Sequence, residues 1–348
     1  MPKSPAPVRI AVVGLDHWYS AFSFAEAVAG HAETTLVAIV DADLGRAREL
    51  AGRVGVDRVT TDRAVMLDDA AVDVVASFVG SDHNPAVCAA AAARGKHLVS
   101  VKPVARTLAE ATALRETVRA AGVVFLPSES RSRLSEQHRQ IKEWVAQGAF
   151  GQILSASGAI WASLPERWPG DPDPGWWADA ARVPGGGWID HAIYDVDLLR
   201  WLLGEEVARA SGVAANLKFP ELPVEDFGAA LLTFEGGAVA NLEVTWTAPP
   251  GGRRRTLSIV DSEGALAYDS LTDRLSLAGR LVETGGWSHG APREWEAEGI
   301  DHLVAAVRGE TAPIATIDDA WRNLAACLAF YGAASTGTVT APAGIDPG

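Results

Sequence analysis

The first third of the chain alternates short apolar runs with helix-patterned segments, and this alternation constrains the fold more than any other feature. Val8-Arg9-Ile10-Ala11-Val12-Val13-Gly14 is an apolar run closed by glycine, which suits a strand buried on both faces. A helix follows over 20–29, a strand over 35–40 ends in Asp41, and Asp43 caps a helix reaching Val54. Residues 73–79 read as another buried strand. Asn84 and Pro85 suit the N-cap and first turn of a helix to Arg94, and 97–101 is again a strand. Thr107-Leu108-Ala109-Glu110 is a capping box opening a helix to Ala121, and 123–126 closes the series. Strands alternating with helices require right-handed crossovers and a parallel sheet. Residues 1–126 therefore read as one doubly wound α/β domain, and 348 residues leave room for a second core over 127–348.

The pattern changes after Pro127. A helix over 134–147 ends at Gly148, and longer strands with turn signals follow. Phe234-Glu235-Gly236-Gly237-Ala238 joins strands at 229–234 and 239–246, and Asp261-Ser262-Glu263-Gly264 joins 257–260 to 265–268. These read as antiparallel hairpins in one mixed or open sheet. Helical patterns at 300–308 and 317–335 close the chain. Residues 165–184, rich in Pro, Gly, Asp and Trp, read as an ordered loop.

A net charge of −14 argues against nucleic acid or an anionic membrane as partner. Cys88 and Cys327 lie far apart in helical segments, without metal or redox spacing, and read as buried inert thiols in a reducing compartment. The start, residues 1–8, has no apolar leader core, and no run reaches transmembrane length, so the expectation is a cytoplasmic protein. No spacing supports a metal site.

A first strand ending in glycine is where a dinucleotide-binding domain places a pyrophosphate. Of the G-x-G-x-x-G slots only Gly14 is filled; the others hold Asp16 and Tyr19, and Asp16 could turn its carboxylate on the pyrophosphate. The loop His17-Trp18-Tyr19 is bulky for a close backbone approach. Asp41, at the end of the second strand, can bond both adenosine ribose hydroxyls and would repel a 2′-phosphate, which favours NAD over NADP. The turn Ser81-Asp82-His83-Asn84 reads equally as a nicotinamide contact or as the N-cap turn of the next helix.

Pro184-Gly185-Gly186-Gly187-Trp188-Ile189-Asp190-His191-Ala192-Ile193-Tyr194 runs three glycines into a helical pattern. Asp190 and Tyr194 share a face there, a carboxylate and a phenol suited to moving a proton. His191 and Asp195 share the adjacent face as a second pair. Trp161, Trp168, Trp176, Trp177 and Trp188 read as apolar platforms for sugar C–H faces or as the loop's own packing. Arg182, just before the glycines, suits a substrate oxygen anion, while for Arg131 and Arg133 binding and surface roles both stay open.

Two motifs together resemble the Gfo/Idh/MocA family of sugar and cyclitol oxidoreductases. Gly95-Lys96-His97-Leu98-Val99-Ser100-Val101-Lys102-Pro103 is similar to the family's G-K-H-V-x-x-E-K-P, with Val101 in place of the glutamate. The triple-glycine segment is similar to G-G-G-x-x-x-D-x-G-x-H-x-x-D: the aspartates fall on Asp190 and Asp197, and the histidine position holds Tyr194, as in the branch that includes glucose–fructose oxidoreductase. The resemblance implies a Rossmann domain followed by an α/β domain with a large, mostly antiparallel sheet, with substrate bound between them. It also implies a homodimer or homotetramer. It implies an NAD-dependent oxidoreductase of a sugar, cyclitol or related polyol. Lys102 would stabilise alkoxide charge or relay the proton, Tyr194 would be the acid/base with His191 as alternative, and Asp190 would assist. Gly14, Asp16, His17, Asp41, Ser81, His83, Lys102 and Pro103 would meet the cofactor, and Trp161, Trp177, Arg182, Asp190 and Tyr194 the substrate. Two other readings stay open: a lyase or hydrolase that retains NAD without net redox turnover, and a ligand-binding protein that has lost the cofactor.

Overall fold

The structure, a computed structural model, describes residues 5–148, 151–172, 174–249, 251–272, 274–278, 280–282 and 297–344. The first four residues, part of the start in which no leader was read, lie outside it. The chain forms two compact units, divided at Arg131/Ser132 and again at Ala320/Trp321.

The first unit runs β1 (Val8–Val13), α1 (Trp18–Ala29), β2 (Thr34–Val40), α2 (Leu44–Val54), β3 (Val59–Thr60), α3 (Arg63–Leu67), β4 (Val74–Ser77), α4 (Asn84–Ala92), β5 (His97–Ser100), α5 (Leu108–Ala121) and β6 (Phe125–Pro127). The sheet order is β3-β2-β1-β4-β5-β6 with every pair parallel. Strand order reverses beside β1, where doubly wound sheets open a crevice for a ligand. Ile10, Val12, Val74, Val75, Leu98 and Val99 are fully buried, as strands covered on both faces require.

Local chemistry sets the helix starts. The Asp43 carboxylate accepts from the Gly45 and Arg46 N–H groups at 2.7 and 3.2 Å, and Thr107 and Glu110 close the capping box that opens α5. Asn84 is not the N-cap of α4. His83 takes the N-cap of α4, and the buried Asn84 amide donates to Ser100 Oγ (2.9 Å) and the Val104 carbonyl (2.8 Å), pinning α4 to the chain leaving β5. The short β3 and α3 carry too few residues for a periodic pattern to show.

In the second unit come α6 (Glu136–Ala146), β7 (Ile153–Trp161), α7 (Gly187–Leu203), β8 (Val207–Ala215), β9 (Phe227–Phe234), β10 (Val239–Thr245), β11 (Arg254–Asp261), β12 (Ala265–Asp269), β13 (Arg274–Leu277) and β14 (Arg280–Val282). Helix α8 (Ala297–Val307) belongs to the first unit, and α9 (Ile317–Thr336) closes the chain. The eight-stranded sheet is ordered β14-β13-β12-β11-β7-β10-β9-β8, antiparallel except for the β7–β10 pair. A parallel pair needs a long crossover, and α7 lies on it. α7 packs on β7, β9 and β10, whose alternate residues Ala156, Ile160, Ala230, Leu232, Leu242 and Val244 are buried. The opposite face is open: Leu231 is 49% exposed, Val213 61% and Val260 43%, among Ser155, Ser157 and Ala159.

Candidate active site

In the first unit the candidate cofactor residues gather at the carboxyl ends of β1, β2, β4 and β5. Gly14 has a φ of +85°, and a Cβ there would fall 2.2 Å from Val79 Cγ1 and 2.9 Å from the Val79 nitrogen, so only glycine lets the turn pass. The carboxylate of Asp41 accepts from the Leu15 N–H at 2.7 Å and the Asp43 N–H at 2.8 Å, tying the end of β2 to the glycine turn. Burial pushes this carboxyl above the usual aspartate range, against the pull of those two N–H donors. Asp16, expected to confront a pyrophosphate, instead turns aside: its Oδ2 accepts from the Gly80 N–H at 2.7 Å, which couples the β1 and β4 turns. His17 is the N-cap of α1, buried, with its backbone N–H bonded to the Phe78 carbonyl at 3.0 Å. Ser81 is fully buried and its Oγ has no hydrogen-bond partner among the described residues, while the exposed His83 pairs with Asp82 at 3.4 Å. Lys102 is 6% exposed just beyond β5, and the Lys102–Pro103 peptide is cis. A glycine-only turn, an inward acid at the second strand and a buried hydroxyl without a partner among the described residues fit a nicotinamide dinucleotide.

In the second unit the glycines begin α7. A Cβ on Gly186 would lie 2.2 Å from the Glu225 carbonyl oxygen, so the backbones meet where no side chain fits. The N–H groups opening a helix have no partners within it; here all four from 186 to 189 are met from elsewhere. Gly186 and Trp188 donate to the Glu225 carboxylate at 2.9 and 3.1 Å, Gly187 donates to the Glu225 carbonyl at 2.7 Å, and Ile189 donates to the Tyr331 hydroxyl at 3.3 Å. Tyr331 in turn donates to Glu225 Oε1 at 2.7 Å. Burial raises the Glu225 carboxyl, and burial beside this carboxylate drives the Tyr331 phenol well above its ordinary value. Neither residue carries a local signal in the sequence, beyond a lone hydroxyl in the apolar run of α9.

On the turns so capped, Asp190, His191 and Tyr194 stand together. His191 Nδ1 lies 3.0 Å from Asp190 Oδ2, a close polar contact outside hydrogen-bond geometry, and the His191 and Tyr194 rings are 6.3 Å apart. Trp246 Nε1 donates to Asp190 Oδ2 at 2.9 Å. The expected pairing of His191 with Asp195 does not form. Asp195 is buried and ion-paired with Arg255, since helix geometry turns it toward β11. Arg133 is a buried structural cation: it forms a two-pronged pair with Asp197 at 2.8 and 2.6 Å, and Asn323 donates to the same carboxylate at 2.8 Å.

The tryptophans separate. Trp188 is buried and stacked on Phe330 with centroids 3.9 Å apart, so it is core. Trp177 packs edge-on against Trp246 at 5.3 Å, and Arg182 lies over the Trp176 ring at 5.3 Å. Trp161 donates to Glu243 Oε1 at 3.0 Å beneath Arg254, on the sheet face that α7 leaves open, and is not brought to Asp190 or Tyr194. Among the described residues no group of three metal-ligating side chains forms a site. Cys88 and Cys327 are buried thiols outside any disulfide, and burial pushes the Cys88 thiol up to about 12.

Two family models match the chain. One, described as the oxidoreductase family with NAD-binding Rossmann fold, matches residues 8–128, and the GFO/IDH/MocA C-terminal domain matches 138–267. The scyllo-inositol 2-dehydrogenase (NAD(+)) of Bacillus subtilis strain 168 is 27% identical, covering 91% of each chain. The 1,5-anhydro-D-fructose reductase of Ensifer adhaerens is 25% identical over 87% of this chain and 89% of its own. Among solved structures, GenD2 from gentamicin A biosynthesis in complex with NAD superposes with a TM-score of 0.81 at 26% identity, covering 98% of this chain and 99% of its own. A levoglucosan dehydrogenase complex with NADH and L-sorbose shares the fold with a TM-score of 0.83 at 22% identity, over 98% of this chain and 100% of its own. The chain belongs to the GFO/IDH/MocA oxidoreductase family.

Proposed function

From this membership and the chemistry of the α7 face, we propose that the protein is an NAD-dependent oxidoreductase acting on a secondary hydroxyl of a sugar, cyclitol or related polyol. Residues 1–126 bind the cofactor, and 127–348 bind substrate and associate with further copies. NAD, when bound, supplies the hydride acceptor. The chain's own residues then handle the substrate oxygen. Lys102 places a cation where alkoxide charge develops; its burial weakens screening by water and strengthens that stabilisation. Tyr194 takes the hydroxyl proton, with His191 beside it as the alternative acceptor. Asp190 bonds a substrate hydroxyl. Gly14 lets the pyrophosphate approach, Asp41 bonds the adenosine ribose and Ser81 offers its buried hydroxyl; Asp16, His17, His83 and Pro103 shape the same rim. Trp177 and Arg182 contact the substrate, and Tyr194 groups the chain with the tyrosine-bearing branch.

The observation that carries this reading is the acid, imidazole and phenol on one helix start whose backbone donors are all satisfied internally. Such a start is fixed before substrate arrives. No described helix is long and apolar enough to cross a membrane, and we place the protein in the cytoplasm. The open sheet face, with its exposed aliphatic residues, supports a homodimer or homotetramer. Calorimetric titration with NAD and with NADP, followed by a polyol screen for NADH formation, tests the reading. Binding of NAD well above NADP, and turnover of a polyol, are expected. Binding of neither nucleotide by nucleotide-free protein would leave only a ligand-binding protein.

A further inference from the structure

Asp190 is gripped by a residue that no sequence motif marks. Trp246 follows β10 and is 1% exposed. Its backbone N–H donates to the Asp226 carbonyl at 2.7 Å. Its ring is packed with Ala162, Ala178 and Val224 and wedged edge-on by Trp177. From that fixed seat its indole N–H reaches Asp190 Oδ2 at 2.9 Å, the same oxygen that faces His191 Nδ1 at 3.0 Å.

We propose that Trp246 is a positioning residue for the reaction: it locks the Asp190 carboxylate in one orientation, so that Asp190 serves as a fixed acceptor for a polyol hydroxyl while Tyr194 or His191 carries the proton. The inference rests on the reading above that the α7 face handles the substrate. An indole N–H only donates, so the carboxylate held against it stays an acceptor. An aspartate on a helix otherwise keeps rotamer freedom that must be lost when substrate is aligned. The buried indole removes that freedom in advance. Through Trp177, the packing of the 162–184 loop also sets where Asp190 points. A misplacement of about 1 Å at such a group is worth on the order of a hundredfold in rate.

Trp246→Phe keeps a ring in the pocket and deletes the donor. Rates with NAD and three probe polyols (scyllo-inositol, myo-inositol and levoglucosan) are compared for the wild type, Trp246→Phe, Asp190→Ala and the double variant. The expected result is a kcat lowered roughly ten- to a hundredfold in Trp246→Phe, with the NAD dissociation constant unchanged within about twofold. The double variant is expected to be no slower than Asp190→Ala alone, because both changes break one interaction. Losses that multiply in the double variant overturn the inference alone. A wild type that oxidises none of the probes overturns the functional reading and this inference with it. Should Trp246→Phe fold poorly, tryptophan-labelled nitrogen NMR of the wild type and Asp190→Ala decides the contact. One indole N–H resonance must move on Asp190→Ala, and none moving overturns the proposal.

Discussion

Lys102 is almost wholly enclosed at the end of β5, where a cation is poorly screened and a developing alkoxide would feel its full charge. Lys102→Ala is expected to lower kcat by about 10²–10³-fold, the usual effect of removing one stabiliser of oxyanion charge. NAD affinity is expected to stay within a few-fold, since the glycine turn and Asp41 are untouched; stopped-flow hydride transfer and calorimetry read the two quantities separately. Tyr194→Phe separates the two proton carriers. If the phenol carries the proton, the rate falls on the order of 10²-fold while His191→Gln costs far less; the reverse order assigns the role to His191.

Helix α7 owes its fixed start to groups far along the chain, since Glu225 lies 39 residues beyond Gly186, and Tyr331 142 residues beyond Ile189. Tyr331→Phe takes from the Ile189 N–H its acceptor and from Glu225 Oε1 one donor, while the Gly186 and Trp188 N–H groups still reach that oxygen, and is expected to cost about 1–3 kcal/mol in urea denaturation. Helix α6 carries a pH dependence. Burial, with Arg255 nearby adding to it, lowers His138 from 6.5 to about 3, while its Nδ1 sits 2.6 Å from Ser135 Oγ. The unfolded chain takes a proton near 6.5 that the folded protein refuses until about 3. This residue's contribution to stability is therefore present above pH 6.5 and is lost as pH falls toward 3, at up to about 1.4 kcal/mol per unit. Denaturation between these limits should show the slope, and His138→Gln should flatten it. These elements also mark what the sequence could tell. The capping box of α5 and the Asp43 cap are written within four residues and were legible. So was the Asp190/Tyr194 face, because helical period alone sets it. The α7 cap, the Trp246 grip and the diversion of Asp195 and Arg133 into buried pairs depend on tertiary neighbours that no local pattern encodes.

At the scale of the molecule, parallel and mixed sheets follow from the alternation of elements, and family membership follows from two motifs in their order. The open face of the second sheet is the feature with the clearest consequence for assembly. Leu231, Val213 and Val260 lie exposed on a face that also carries Ser155, Ser157 and Ala159, an apolar patch that suits association with a second copy. Leu231→Arg is expected to shift sedimentation from a multiple of the chain mass toward the single chain, with NAD binding retained. The net charge of −14 leaves the cofactor no long-range attraction. On the proposed function its affinity arises locally, with the turns at Gly14, Asp41 and Ser81 as the contacts to test. The most direct measurement is NADH formation from a polyol panel by the wild type beside Lys102→Ala. Steady NADH production by the wild type with one or more polyols, and its near-complete loss in the variant, is the result the account predicts. No NADH from any polyol, or equal rates for the two proteins, would contradict it.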